Sequence, residues 1–238
     1  MKIIALESSA VTASVAVTED EKLLAQSFQN SGLTHSATLM PMVSDLLKNT
    51  GLTLEEMDVV AVAAGPGSFT GVRIGVAAAK GLAWPGDKPC APCSTLESMA
   101  WQCAHVGGEI CAAMDARRSQ VYCARFWAEH GELTRLTRDR AVGLDELVEE
   151  VRASGKPQTL VGDGAHLVQK ALEEQGLPCV LMPPHLRYQT AWGVAQAALR
   201  MAREGQLVSA AAMAPSYHRL SQAERERLER EGKDRTFS

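Results

Sequence analysis

The chain has 238 residues, 46% of them apolar and 22% charged, with a formal net charge of -4; these values exclude a disordered or fibrous polypeptide and fit a globular one. A chain of this length supports two modest domains or one large one, with a core that needs neither disulfides nor metal. Acidic and basic residues are mixed along it, which argues against a broad electrostatic footprint for nucleic acid and leaves any RNA contact local or shared with a partner.

The first apolar run, "MKIIALESSAVTASVAV", is too short to span a bilayer, contains Glu7 and lacks a basic region with a cleavage site, so no targeting segment, no membrane association and a cytoplasmic location are expected. In that compartment the six cysteines are expected as thiols. The runs 2–9, 12–20 and 21–29, separated by short polar turns, predict an antiparallel meander. A helix follows over "THSATLMPMVSDLLKNTG", with Leu39, Met42, Val43, Leu46 and Leu47 at helical spacing, Thr34 as N-cap and Gly51 as stop. Pro41 inside it implies a bend, or a helix that begins close to that residue. "MDVVAVAAG" has no alternation and reads as a strand buried on both faces. It leads into "GPGSFTGVRIGV" and a further helix, after which Ser94 and Glu97 form a capping box that opens "STLESMAWQCAHVGG".

The second half repeats this order: strands at 109–116, 120–129 and 131–139, a helix at 144–155, a strand at 158–164 and a helix at 165–176. One long helix with Thr190 as N-cap follows. A duplicated β-β-β-α-β-α pattern departs from a doubly wound sheet, in which strand and helix alternate from the start. It predicts an α/β protein of two related lobes, 1–107 and 108–220, with a charged tail at 221–238 that is frayed or disordered.

The glycine segment occupies the position where α/β proteins bind ligands, after a strand and before a helix. It nonetheless misses both nucleotide fingerprints, because Val72 rather than lysine follows Gly71 and the spacing of Gly65, Gly67 and Gly71 is one residue too long. Two uses remain open. Gly71, Gly75 and Ala78 form a small helix face that another backbone can approach, while Gly65, Gly67, Ser68, Thr70 and Arg73 surround amides suited to an anion. His35 has Leu39 one turn on instead of a second histidine, so no metal pair forms there. Cys90, Cys93, Cys103 and His105 read as ordinary residues rather than a zinc or redox set. Asp115, Arg117 and Arg118 mark a turn that is either simply solvated or an anion contact. No G-x-S-x-G elbow and no paired catalytic carboxylates are present.

With these residues in hand, the chain resembles the bacterial TsaB (YeaZ) family. The carriers are "LESSAVTASVAV", "HSATLMPMV", the hallmark "GPGSFTGVRIGV" at Gly65–Val76, "MDARRSQVY" and "APSYHR". The resemblance implies an actin/Hsp70/sugar-kinase-like fold of two lobes and a place in making N6-threonylcarbamoyladenosine at tRNA position 37. It implies a non-catalytic dimerisation subunit without cofactor of its own, serving a catalytic paralogue, TsaD, and an ATPase, TsaE, on which ATP or ADP and a metal ion are expected. Contact with tRNA is then expected only through the complex; for the subunit alone, a homodimer and an unpaired chain both stay open. The implied partner interface uses the first helix and the glycine-rich helix, at His35, Leu39, Met42, Val43, Leu46, Leu47, Gly71, Gly75 and Ala78. Glu7 stands where many relatives carry Asp, in the turn that holds phosphate in kinases of the superfamily. The alternatives are a free-standing phosphotransferase using Gly65–Gly71 and Gly162–Gly164, and a metallopeptidase.

Overall fold

Ile4, Leu6, Val15 and Val17 face one side of the first sheet and Ile3, Ala5 and Ala16 the other, so these strands are apolar on both faces because both faces are covered. The computed structural model describes residues 1–218; the predicted charged tail, 221–238, lies outside the described residues. The first sheet contains β1 (Lys2–Glu7), β2 (Ala13–Glu19), β3 (Lys22–Gln29), β4 (Val59–Gly65) and β5 (Cys90–Ser94) in the order β3-β2-β1-β4-β5. The meander β1–β3 is antiparallel, and β4 and β5 extend it in parallel. The helices α1 (His35–Thr50) and α2 (Phe69–Ala83) cover one face of this sheet.

The second sheet repeats the arrangement. It is built from β6 (Gly108–Asp115), β7 (Gln120–Glu129), β8 (Glu132–Arg135), β10 (Gln158–Val161) and β11 (Cys179–Leu181) in the order β11-β10-β6-β7-β8, with β9 (Arg140–Gly143) paired to β7. The helices α4 (Leu144–Ser154) and α5 (Ala165–Glu174) cover one face. A short α6 (Pro184–Arg187) precedes the last helix, α7 (Ala191–Arg203). This is the two-lobed α/β architecture of the actin/Hsp70/sugar-kinase-like fold.

The division at 107/108 separates the two repeats in sequence but not the two lobes in space. α3 (Thr95–Trp101), the last helix of the first repeat, buries Leu96, Met99 and Ala100 against Ile110, Phe126 and Val161 of the second sheet. Conversely, α7 buries Ala191, Val194, Ala195 and Ala198 against Ile3, Ala5, Ala61 and Ala91 of the first sheet. Each repeat thus supplies the helix that closes the other repeat's sheet. Residues 206–218 also return to the first lobe: Val208 pairs with Cys90 through two backbone hydrogen bonds of 2.8 and 2.9 Å, and Ala210 and Met213 enter the first core.

The junction is pinned by charge. Glu97, 6% exposed, accepts from Arg135 of β8 at 2.9 Å and pairs with Arg200 of α7 at 2.5 Å. The expected capping box is therefore half formed, since Ser94 Oγ accepts from the Glu97 amide at 3.1 Å while the Glu97 carboxylate serves the arginines. Gly51 ends α1 in the left-handed conformation, as expected, but the Thr34 side chain makes no cap hydrogen bond. The helix also runs from His35 through Pro41, although a proline in the second turn removes one backbone hydrogen bond and crowds the carbonyl four residues before it.

Candidate functional site

β4 delivers Gly65 into the glycine segment, and Ser68 caps α2 by accepting from the Gly71 amide at 3.4 Å. The turn from Glu7 to Thr12, between β1 and β2, lies directly over this loop. Its Ser9 carbonyl accepts from the Ser68 amide at 2.6 Å, and Ser8 Oγ donates to the Gly71 carbonyl at 3.0 Å. A β-carbon on Gly71 would stand 2.1 Å from the Ser8 carbonyl oxygen, and one on Gly67 2.4 Å from that of Ser9. Either side chain would have to displace main chain. Gly65, at φ +131°, lies under the Ser216 carbonyl in the same way, at 2.3 Å, and the Ser216 amide donates to Ala64 O at 2.7 Å.

A backbone does approach the small face of α2, but it belongs to the same chain. Gly71 and Gly75 are buried inside the lobe, Gly75 against Ser8 Oγ and Val62, so the face expected to be open to a partner is covered by the chain itself. The stripe Leu39, Met42, Val43 and Leu46 corrects in the same direction: each residue is at most 6% exposed and belongs to the first core. Amphipathicity reports that a helix face is buried, not by what. Leu47 and Ala78 lie half-buried at the margin of that core. His35 is tied to the turn between β1 and β2, with Nε2 2.7 Å from the Ala10 carbonyl. Among the residues read for anion contact, Gly65 and Gly67 are closed over by the chain, Ser68 is engaged as the cap, and Thr70 and Arg73 are exposed.

What the two helices present outward is a different set: Ala37, Met40, Pro41 and Ser44 on α1, and Thr70, Arg73, Ala77 and Gly81 on α2. Met40 is 43% exposed. At Gly81 nothing lies within 4 Å of the position a β-carbon would take, so a residue costing about 1 kcal/mol relative to Ala in a helix interior has no reason within the described residues to be glycine. At the start of α2, Phe69 stacks on Tyr217 with centroids 4.8 Å apart, and Arg73 Nε donates to Tyr217 Oη at 2.8 Å. Sequence reading missed Met40, Phe69, Ala77, Gly81 and Tyr217. For Met40, Ala77 and Gly81 the signal was available as positions one helical step away from the apolar residues, whereas Tyr217 comes to α2 from a segment far along the chain.

The turn after β1 meets the segments that follow β10, Thr12 Oγ1 donating to the Gln189 carbonyl and Gln189 Nε2 to Asp163. Glu7 is fully buried there, Oε1 accepting from the Ser9 amide at 2.5 Å and from Ser9 Oγ at 2.6 Å, while Oε2 has no hydrogen-bond partner among the described residues. Burial pushes its carboxyl up to about 7, Asp163 adding to the rise and the Ser9 hydrogen bonds opposing it. Asp163 is itself raised by burial, against the hydrogen bond from Gln189 Nε2 at 2.6 Å. A β-carbon on Gly164 would meet the Asp115 amide at 2.7 Å, which sets the Gly162–Gly164 loop against the second lobe's own turn. That turn holds Arg117, Arg118 and Ser119 in succession at φ of +64°, +55° and +56°. Both arginines are exposed, and the Arg117 amide donates to Asp115 at 2.7 Å.

Cys93 lies on β5 rather than at a helix start, and burial raises its thiol well above the usual range. Among the described residues no three His, Cys, Asp or Glu side chains converge as metal ligands, and no helix is long and apolar enough to cross a membrane.

The glycine hallmark, the turn closing over it and the exchanged helices can be set beside known proteins. The chain matches the family model "TsaD: tRNA N6-adenosine threonylcarbamoyltransferase" over residues 23–226. It is 33% identical over 223 residues to the tRNA threonylcarbamoyladenosine biosynthesis protein TsaB of Escherichia coli (strain K12), covering 92% of this chain and 95% of that one. The chain belongs to this family, in its TsaB (YeaZ) branch. The TsaB protein of Bacillus subtilis (strain 168) is also 33% identical, over 73% of this chain and 76% of its own length. A crystal structure of a Pseudomonas aeruginosa protein described as similar to peptidase YEAZ superposes with a TM-score of 0.79 at 26% identity, covering 92% of this chain and 99% of that one. The TsaB branch is thereby tied to tRNA threonylcarbamoyladenosine biosynthesis.

Proposed function

We propose that the chain is a non-catalytic subunit in tRNA N6-threonylcarbamoyladenosine biosynthesis, binding a TsaD-like catalytic paralogue through the outward faces of α1 and α2. The observation that carries this reading is the internal occupation of the glycine loop. Ser8, Ser9 and Ser216 carbonyls fill the spaces beside Gly71, Gly67 and Gly65, where a phosphotransferase would need room for phosphate. The same observation weighs against the free-standing kinase. A TsaE-like ATPase joins this pair, nucleotide and metal are held by the partner subunits, tRNA is reached through the assembly, and the complex works in the cytoplasm. In isolation the chain pairs with itself.

The function supplied is then support of the paralogue's active conformation. Reconstitution tests it: threonylcarbamoyl transfer to tRNA is measured with the TsaD-like and TsaE-like subunits, with and without this chain. Transfer that requires this chain, together with calorimetry showing no turnover of ATP by the chain alone, supports the reading. Transfer at full rate without it, or ATP-dependent phosphorylation by the isolated chain, refutes it.

A further inference from the structure

Arg73 differs from the other arginines at which the first lobe and its junction are anchored. Arg200 and Arg135 pair with Glu97, and Arg203 pairs with Glu21 at 2.9 Å. Arg73 has no acidic partner among the described residues, yet it is not loose. Its guanidinium carbon lies 3.7 Å from the centre of the Phe69 ring and 5.7 Å from that of Tyr217, and its Nε is held by Tyr217 Oη. The side chain is fixed at its inner edge by two aromatic rings and one hydrogen bond. The two terminal nitrogens, which form the fork that grips a carboxylate, are left with no hydrogen-bond partner among the described residues.

Tyr217 reaches this position because the strap 206–218 is anchored along the first lobe, through the Val208–Cys90 pairing, buried Met213 and the Ser216–Ala64 bond. The guanidinium is thus preorganised from two separate stretches of chain, on an exposed helix face with small neighbours at Thr70 and Ala77. Charge decides between occupants. α1 and α2 together carry one acid, Asp45, against Lys48, Arg73 and Lys80, so an identical copy meets this face with a surplus of cations.

We propose that Arg73 is the selectivity anchor of the α1–α2 face: it takes, bidentately, an aspartate or glutamate of the catalytic paralogue, and this contact favours that partner over a second copy of this chain. The proposal rests on the reading of the protein as a partner subunit. Preorganisation lowers the ordering cost of the contact, and a desolvated arginine fork is a common centre of interface energy.

The test is calorimetric titration of the full-length protein with the TsaD-like subunit, with self-association followed by sedimentation. Arg73→Ala is expected to weaken the heteromeric complex by about 30-fold or more, without weakening self-association. Arg73→Lys, which keeps the charge and loses the fork, should restore little of it. Tyr217→Phe, which keeps the ring stack and frees Nε, should weaken binding by about five-fold. Both side chains are at the surface, and unchanged thermal melts serve as the folding control. Wild-type protein that fails to bind the TsaD-like subunit overturns the underlying reading and the proposal with it. Wild type that binds, with Arg73→Ala binding as tightly, overturns the proposal alone, as does Arg73→Ala that loses only self-association, which would make a second copy the occupant.

Discussion

Replacing Glu7 by Gln exchanges a buried carboxyl for an amide of the same shape at the turn that closes the glycine loop. The folded carboxyl keeps its proton up to about pH 7, whereas an unfolded one releases it near 4.5. Below 4.5 both states are protonated and the group adds no pH dependence. Between 4.5 and 7 the unfolded chain alone gives up the proton, so wild-type stability falls as pH rises, at 1.36 kcal/mol for each unit in which the two states differ. The forfeited stability is about 3 kcal/mol and is complete above pH 7. Glu7 is fully buried, so little of this is lost to solvent screening. The glutamine of the variant accepts from Ser9 through its side-chain carbonyl and does not titrate. Urea unfolding of both proteins at pH 5 and pH 8 is the assay, and the difference between them isolates Glu7 because other groups titrate in both. The stability gap should move in favour of Glu7→Gln by about 2 to 3 kcal/mol from the lower pH to the higher. Parallel stabilities at the two pH values would mean that Glu7 is ionised within the fold, and the reasoning from its burial would be wrong.

Two glycines on one helix should respond oppositely. Gly71→Ala forces the Ser8 main chain aside and should cost about 3 kcal/mol, whereas Gly81→Ala enters open space and should stabilise the isolated protein by about 1 kcal/mol; chemical denaturation reads both. Glu97→Ala leaves Arg135 and Arg200 without their shared carboxylate at the lobe junction and should lower stability by about 3 kcal/mol, the low end for a buried pair because the arginines are partly exposed. Thiol titration at pH 8 should find Cys93 and Cys103 unreactive until the protein unfolds, since burial raises both thiols, Cys103 to about 12; rapid labelling of either in native protein would contradict their placement.

The meander, the first helix and the doubly covered strand β4 were legible because each is a local pattern: alternation, helical spacing, or an unbroken Val/Ala run. β5 was not. Cys90–Ser94 is five residues containing a proline, and its strand character comes from pairing with β4 and with Val208, contacts made far away in sequence. β9 and β11 were missed for the same reason, being four and three residues long and held by β7 and β10. The exchange of α3 and α7 had no sequence signal at all, because an apolar helix face does not name the sheet it covers. At the site, the glycines were read correctly as marking close backbone approach, but the approaching chain is about sixty residues upstream, at Ser8 and Ser9. The residues read for a partner interface lie mostly on the buried stripe, and the exposed positions beside it were not singled out.

The turn from Glu7 to Thr12 joins the start of both helices to the second lobe. On one side Ser8 and Ser9 bind the start of α2, and the Ala10 carbonyl meets His35 at the start of α1. On the other side Thr12 Oγ1 donates to the Gln189 carbonyl at 2.9 Å, Gln189 donates to Asp163, and that aspartate adds to the rise of the Glu7 carboxyl. One short segment therefore bonds the helices of the outward face to the second lobe's glycine loop. The opposite face of the first sheet is taken by α7, which meets the second lobe through Glu97 and Arg135. The helices α1 and α2 are thus joined to the second lobe by packing across the sheet into α7 and by hydrogen bonds through this turn, by way of Thr12 and Gln189. The glycines at 67 and 71 make this junction possible: a β-carbon at either would meet the Ser9 or Ser8 carbonyl, and the turn could not rest on α2.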